Sequence, residues 1–297
     1  MSVAPFDRAA VRRQRRRAAP GFAAHDFLYR EVAGRLAERL GEVRREFARG
    51  LELGCRGDAF TRAATAQGCK AGFVVAGPLA EALPGVARVV ADEERLPFAP
   101  GSFDLIVSVL ALHWVNDLPG ALAQIRAALA PDGLFLAALF GGTTLHELRA
   151  ALAEGEVAAT GGASPRVAPM VDVADAGRLL QRAGFALPMA DVDSLAVTYA
   201  DAFALMRELR GMGEANALAA RRRRFTGRQT MLAAAAAYAR RFSDPDGRIR
   251  ATFQVVYLTG WAPAPSQPRP LAPGSAQARL AEALGTRERP AGDPTRR

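Results

Sequence analysis

Four short segments carry side chains able to hold or activate a polar ligand. Glu52 stands ahead of Gly54 and Gly57, so a carboxylate lies beside backbone that can approach a ligand closely. Asp92 and Glu93 follow an apolar run and offer carboxylate acceptors to N–H donors. His113-Trp114 joins a side chain suited to general-base work or substrate holding with a ring able to wall a pocket. Glu214 and Asn216 follow Gly211-Met212-Gly213, where a break between helices would set polar groups at a pocket edge. His113, Glu214 and Asn216 are therefore the candidates for chemistry, with His113 and Trp114 as candidate pocket residues. Plainer roles stand beside these: Asp92 as a turn cap, His113 and Trp114 as packing, Asn216 as a helix cap.

The elements that must position them follow from periodicity. Short apolar runs at 51–55, 73–76, 86–91, 105–109 and 134–139 read as strands, separated by helical stretches about 15–30 residues apart. That is the spacing of βα units in a doubly wound sheet with parallel strands. Residues 192–199 alternate apolar and polar, and 252–261 are rich in β-formers, so two further strands are expected to complete one edge as an antiparallel pair. Between them, 201–242 reads as helical, broken near 211–213 and at 226–227. Apolar positions Phe27, Leu28, Val32, Leu36, Leu40 and Val43 mark a helix before the first strand. Asp172 or Asp175 is placed to cap a helix that Gly184 stops. The expected fold is an α/β, doubly wound, seven-stranded Rossmann-like sheet. The divisions are a helical segment over 1–49, the main domain over 50–262 with its insertion at about 201–243, and a Pro/Ala/Gly/Arg-rich tail over 263–297 expected to be disordered.

Composition bounds the rest. The chain has 297 residues, enough for one large core. It has no apolar run of membrane-spanning length. Cys55 and Cys69 have neither disulfide density nor metal-site spacing, and the three histidines form no metal-binding pattern, so no metal site is expected and a reducing compartment fits. The net charge of +9 rests on arginine, Lys70 being the single lysine. Basic residues crowd at 12–17 and again at 221–224. No aromatic residues interleave with them, which argues against a single-strand nucleic-acid binder. The Arg-rich start resembles a transit peptide, but Phe6, Ala10 and Arg13 share helical spacing, which favours a retained helix.

The stretch 91–142 resembles the second half of a class I S-adenosylmethionine (SAM) methyltransferase domain. That resemblance implies cofactor contacts from Glu52, Gly54 and Gly57 of the glycine loop, from Asp92 and Glu93 on the adenine side, and from Leu110 past the fourth strand. The loop Glu52-Leu53-Gly54-Cys55-Arg56-Gly57 lacks one glycine of the usual pattern. The place of the ribose-binding acid holds Ala76-Gly77-Pro78, with no carboxylate before Glu81. Two missing hydrogen bonds correspond to about 1–3 kcal/mol of affinity.

Over most of its length the chain resembles the methyltransferase-fold assembly factor of respiratory complex I and its alphaproteobacterial relatives. The matching segments include Phe6-Asp7-Arg8, Ala91-Asp92-Glu93-Glu94 and 112–119 from Leu112 to Pro119. They continue through Phe140-Gly141-Gly142, Ser164-Pro165-Arg166, Gly211-Met212-Gly213-Glu214 and Thr230-Met231-Leu232. The stretch around His113 is shared with the malonyl-carrier-protein methyltransferase of biotin synthesis. The resemblance implies SAM as cofactor and a protein substrate, an iron–sulfur subunit of complex I, with arginine hydroxylation in place of methylation. It implies a location in the bacterial cytoplasm or peripherally at the inner membrane. A carrier-protein or small-molecule O-methyltransferase, and a non-catalytic assembly chaperone, remain open alternatives.

Overall fold

Alternation within each central strand sends side chains to both faces of a sheet that is covered on both sides. In the computed structural model, which describes residues 4–79, 85–268, 275 and 279–287, strand β4 (Phe103–Val109) turns Leu105, Val107 and Val109 to one face and Ile106 to the other. Strand β5 (Leu129–Phe140) does the same with Leu134, Leu136 and Ala138 against Phe135, Ala137 and Leu139. Both sets are buried, and they nucleate two core layers.

The other strands are β1 (Arg49–Leu53), β2 (Gly72–Gly77), β3 (Ala87–Val90), β6 (Ala186–Tyr199) and β7 (Ile249–Trp261). They form one seven-stranded sheet in the order β3-β2-β1-β4-β5-β7-β6. Strands β1 to β5 pair in parallel, whereas β7 runs antiparallel to both β5 and β6. The strand order reverses between β1 and β4, which creates a crevice at their carboxyl ends. This is the class I methyltransferase architecture expected from the sequence.

Helix α1 (Arg8–Ala18) is capped by Asp7, whose carboxylate accepts from Ala10 N, and a 3₁₀ turn (Ala19–Ala24) links it to α2 (Phe27–Gly41). Helix α2 buries Leu28, Val32, Leu36 and Leu40 against the first core layer, beside α3 (Ala59–Ala66). Helices α4 (Leu118–Ala128) and α6 (Val173–Arg182) cover the other face. Asp172 caps α6, its carboxylate accepting from Ala174 N. Helices α5 (His146–Thr160), α7 (Ala202–Gly211) and α8 (Arg228–Phe242) complete the first layer.

The segment between α7 and α8, expected to be largely helical, is mostly irregular. Gly213 adopts φ +71°, which ends α7, and Leu218 instead forms a β-bridge with Phe6. Residues up to Ala264 form one compact unit, and Pro265–Arg297 a second that carries the short helix α9 (Leu280–Ala283). Glu81 and most of the tail lie outside the described residues. Among the described residues, no helix is long and apolar enough to cross a membrane.

Candidate functional site

Sharp turns at strand ends build the site. After β1, Gly54 adopts φ +77° and its N–H donates to Ala76 O at 2.6 Å, so the chain folds tightly against β2. A Cβ on Gly54 would collide with Ala111. Gly77, where the family's acid would stand, packs directly on Gly54, and a Cβ there would lie 3.3 Å from Gly54 Cα. After β4, Leu110 holds φ +46° and leads into the 3₁₀ turn Leu112–Trp114. Gly57 follows at φ +131° with its carbonyl accepting from Cys55 Sγ.

Glu52 is completely buried. It accepts from Tyr29 Oη at 2.7 Å, and its other oxygen has no hydrogen-bond partner among the described residues. Burial pushes its carboxyl up to about 7, against the lowering hydrogen bonds of Tyr29 and Cys55. A carboxyl raised in the folded state stabilises most below its ordinary range near 4.5, and that stability is lost as pH rises through about 7. Glu52→Gln is therefore expected to match the parent chain near pH ~4.5 and to exceed it by up to about 3 kcal/mol near pH ~8. Thermal denaturation at the two pH values measures this; an equal difference at both would refute it.

Segments far apart in the chain converge at the crevice. Arg8 Nη2 donates to Asp92 Oδ1 at 2.8 Å and also pairs with Glu93, while Arg8 Nη1 donates to Trp114 O at 3.2 Å. Arg12 approaches Asp92 at 3.6 Å. Burial pushes Asp92 up, but the Glu94 N–H and the Arg8 guanidinium outweigh it and hold the carboxyl below its ordinary range. Phe6 N donates to Asn116 Oδ1 at 2.8 Å, and the Phe6 ring meets Trp114 edge-on at 5.2 Å. The segments Phe6-Asp7-Arg8, Ala91-Asp92-Glu93-Glu94 and His113-Trp114-Val115-Asn116 thus form one contact network.

Glu214 closes that network. It is 6 % exposed and accepts from Trp114 Nε1 at 2.5 Å, His113 Nε2 at 3.0 Å and Arg56 Nη1 at 3.1 Å, with Arg15 at 3.7 Å. Burial pushes Glu214 up, but His113, Arg15 and Arg56 together hold it down at about 2. Burial pushes His113 below its ordinary value. The ring is therefore neutral at pH 7 and donates through Nε2, leaving Nδ1 without a partner among the described residues. Asn216 stands beside them in the chain, its side chain donating to Pro165 O and accepting from Leu218 N at the edge of the same cavity as Glu214. The sequence patterns did not single out Arg8, Arg15, Arg56 or Tyr29. Arginine in a basic run reads as solvated surface, and only the fold buries Arg15 and Arg56.

Two spaces flank Glu214, and they differ in kind. On the glycine-loop side, Arg8, Arg12, Arg15, Gly54, Cys55, Arg56 and Pro78 enclose about 20 Å³, room for about one water molecule. The glycine backbone there suits a nucleoside cofactor. The space between the described residues does not: α1 lays Arg8 and Arg12 over Asp92 and Glu93 and occupies this part of the crevice. With α1 docked, these residues do not fit SAM. On the other side lies a cavity of about 460 Å³ walled by Trp114, Phe140, Leu148, Leu152, Met206 and Phe253, with Glu214 in its lining. Arg166 stands at its edge, fixed by Glu156, which also takes Ser164 N and Oγ. Among the described residues no cluster of His, Cys, Asp or Glu could hold a metal ion.

Comparison with known proteins places this geometry. Residues 23–188 match a family model described as a methyltransferase domain. The arginine-hydroxylase NDUFAF5 of Mus musculus, a mitochondrial protein, is 43% identical over 286 residues, covering 93% of this chain and 83% of that protein. The human counterpart is 43% identical with 93% and 82% coverage. A malonyl-[acyl-carrier protein] O-methyltransferase of Halorhodospira halophila is 38% identical over 267 residues, covering 86% of this chain and 88% of that protein. Among solved structures, BH2331 of Bacillus halodurans superposes with a TM-score of 0.52 at 13% identity, covering 77% of this chain and 97% of that one, a likeness of fold alone.

Proposed function

The chain belongs to the methyltransferase-domain family of enzymes, and on that premise we propose that it acts on an arginine side chain of a protein substrate during respiratory complex I assembly. The observation that carries this reading is the 460 Å³ cavity: aliphatic and aromatic walls reach an ionised, buried carboxylate, Glu214. An arginine has the matching form, an apolar stem ending in a guanidinium. Arg56 Nη1, donating to Glu214 at 3.1 Å, and Arg15, paired with it at 3.7 Å, keep this carboxylate ionised at the cavity wall. Residues 50–262 would be the methyltransferase-like domain that holds the pocket, and 1–49 the helical segment across its crevice.

SAM is the cofactor this reading names, through Glu52, Gly54, Gly57, Asp92, Glu93 and Leu110. Its binding requires α1 to release Asp92 and Glu93. The test is mass spectrometry of the purified iron–sulfur subunit after incubation with the full chain and SAM, with and without dioxygen and a reductant. A gain of one oxygen on an arginine marks hydroxylation, and a gain of one methylene marks methylation. Met206→Trp, which fills the cavity, is expected to cut either product by about tenfold or more while leaving the melting temperature within a few degrees. An unmodified subunit, with a malonyl-carrier protein methylated under the same conditions, would replace this reading by the carrier-protein one. The filled crevice favours one second reading, an assembly protein that works without SAM. Full complementation of a deletion strain by a variant unable to bind SAM would establish it.

A further inference from the structure

A second cavity touches the first and has the opposite character. It encloses about 470 Å³ between the C-terminal turns of α1 and α7 and is lined by Arg17, His25, Arg207 and Arg210 with Gln14 and Gly211. It holds no carboxylate in its lining. His25 is spent on Glu208, at 2.7 Å. Arg17, Arg207 and Arg210 are exposed, and their guanidiniums have no hydrogen-bond or ion-pair partner among the described residues. Arg210 and Ala215 line both this cleft and the 460 Å³ cavity, so a ligand can reach from one to the other.

The basic run at 221–224 is less free than its sequence implies. Arg221 pairs with Asp7 at 2.8 Å and Arg222 with Glu156 at 3.3 Å. Beside the pocket, Arg17, Arg207 and Arg210 form one cluster of unspent charge around the cleft.

We propose that the Arg17–Arg207–Arg210 cleft docks an acidic, extended segment of the protein substrate, whose neighbouring side chain then enters the apolar cavity. The inference rests on the protein-substrate reading and adds to it the chemistry that selects the partner. Three features favour carboxylates over a phosphate group. The cleft is far larger than one phosphate. It opens at the C-terminal turns of α1 and α7, whose carbonyls repel a compact anion. Arg207 and Arg210 are three residues apart on one helix face, roughly 5–6 Å between Cβ atoms, close to the spacing of alternate side chains along a strand. Guanidiniums at the ends of long side chains meet carboxylates there without the anion approaching the helix ends.

The probe is a fluorescein-labelled peptide with alternating glutamates ahead of one arginine, followed by anisotropy on the full chain. Arg17→Gln/Arg207→Gln/Arg210→Gln is expected to weaken binding about tenfold. The charge-matched Arg44→Gln/Arg88→Gln/Arg182→Gln should change it by no more than about twofold. A glutamine version of the peptide should bind the parent chain as weakly as the triple variant binds the acidic one. Equal loss in both triple variants would reduce the effect to net charge and overturn the proposal. Displacement of the peptide by millimolar inorganic phosphate at constant ionic strength would also overturn it, as would binding to phosphatidylglycerol vesicles in its place. Circular dichroism confirms folding of each variant. Loss of peptide docking with the iron–sulfur subunit still modified sinks only this inference. Arg-dependent docking with no arginine modified sinks only the substrate reading.

Discussion

Glu214→Ala is expected to lower stability by about 3–5 kcal/mol, enough to unfold much of a marginal protein. The side chain accepts from the buried Arg56 guanidinium, a buried imidazole and an indole N–H, and pairs with the Arg15 guanidinium at 3.7 Å. Its removal takes a carboxylate acceptor from Arg56, which stacks on Phe22 at 4.1 Å, and leaves Arg15, 5 % exposed, paired with Glu93 at 3.8 Å. Glu214→Gln should cost somewhat less, since it keeps the shape and one acceptor while losing the charge. Urea denaturation at neutral pH measures both. The acid limb supplies an independent reading. A carboxyl held near 2 when folded and near 4.5 otherwise stabilises fully above the higher value, and this contribution fades as pH falls toward 2. The parent chain should therefore lose stability on acidification more steeply than either variant. Parallel acid limbs, or a cost below about 1 kcal/mol, would show that Glu214 is not the keystone of this network.

The second large effect concerns the crevice. Calorimetric titration of the parent chain with SAM is expected to show weak binding, because α1 must first surrender the Arg8 contacts to Asp92 and Glu93. A sulfonium cation also gains nothing from a wall of guanidiniums. Arg8→Gln/Arg12→Gln should tighten SAM binding by roughly tenfold to a hundredfold, the equivalent of one charge-assisted hydrogen bond no longer broken on entry. Asp92→Ala in the same background should reverse the gain. If Arg8→Gln/Arg12→Gln binds SAM more weakly than the parent chain, those arginines contact the cofactor and the plugging of the crevice is wrong. Melting curves keep the two predictions separate, since Arg8→Gln also strips a partner from buried Glu93.

The sheet was legible because its strands obey local rules. Apolar runs at βα spacing locate five strands, and the alternation at 192–199 with the β-formers at 252–261 locates the antiparallel edge pair. The strand ends were not legible: β6 begins at Ala186, ahead of the alternation, because Leu187 takes φ +49° and the pairing with β7 shifts register there. The irregular chain between α7 and α8 lies within 201–242, which reads as helical with breaks at 211–213 and 226–227. Bonds from Asp7 N to Ala217 O and from Ala219 N to Pro5 O hold it to the N-terminus, over a separation local patterns do not see. The site divided along the same line. His113 and Glu214 were legible as polar residues at turns, and the fold sets them 3.0 Å apart. Arg8, Arg15 and Arg56 were not, since a buried arginine differs from a surface one only by its partners.

The position of β7 between β5 and β6 carries a consequence for biogenesis. The last strand of the sheet to be synthesised is an interior one, and β6 has no neighbour in the sheet until β7 arrives. A chain emerging from the ribosome must therefore hold β5 with a bare, apolar edge through the synthesis of more than a hundred residues, from Phe140 to Ile249. At about 5–20 residues per second this lasts several seconds. Throughout that interval the exposed edge can pair with another nascent chain. Chaperone occupancy measured codon by codon should therefore rise after β5 emerges and fall once Trp261 has cleared the exit tunnel.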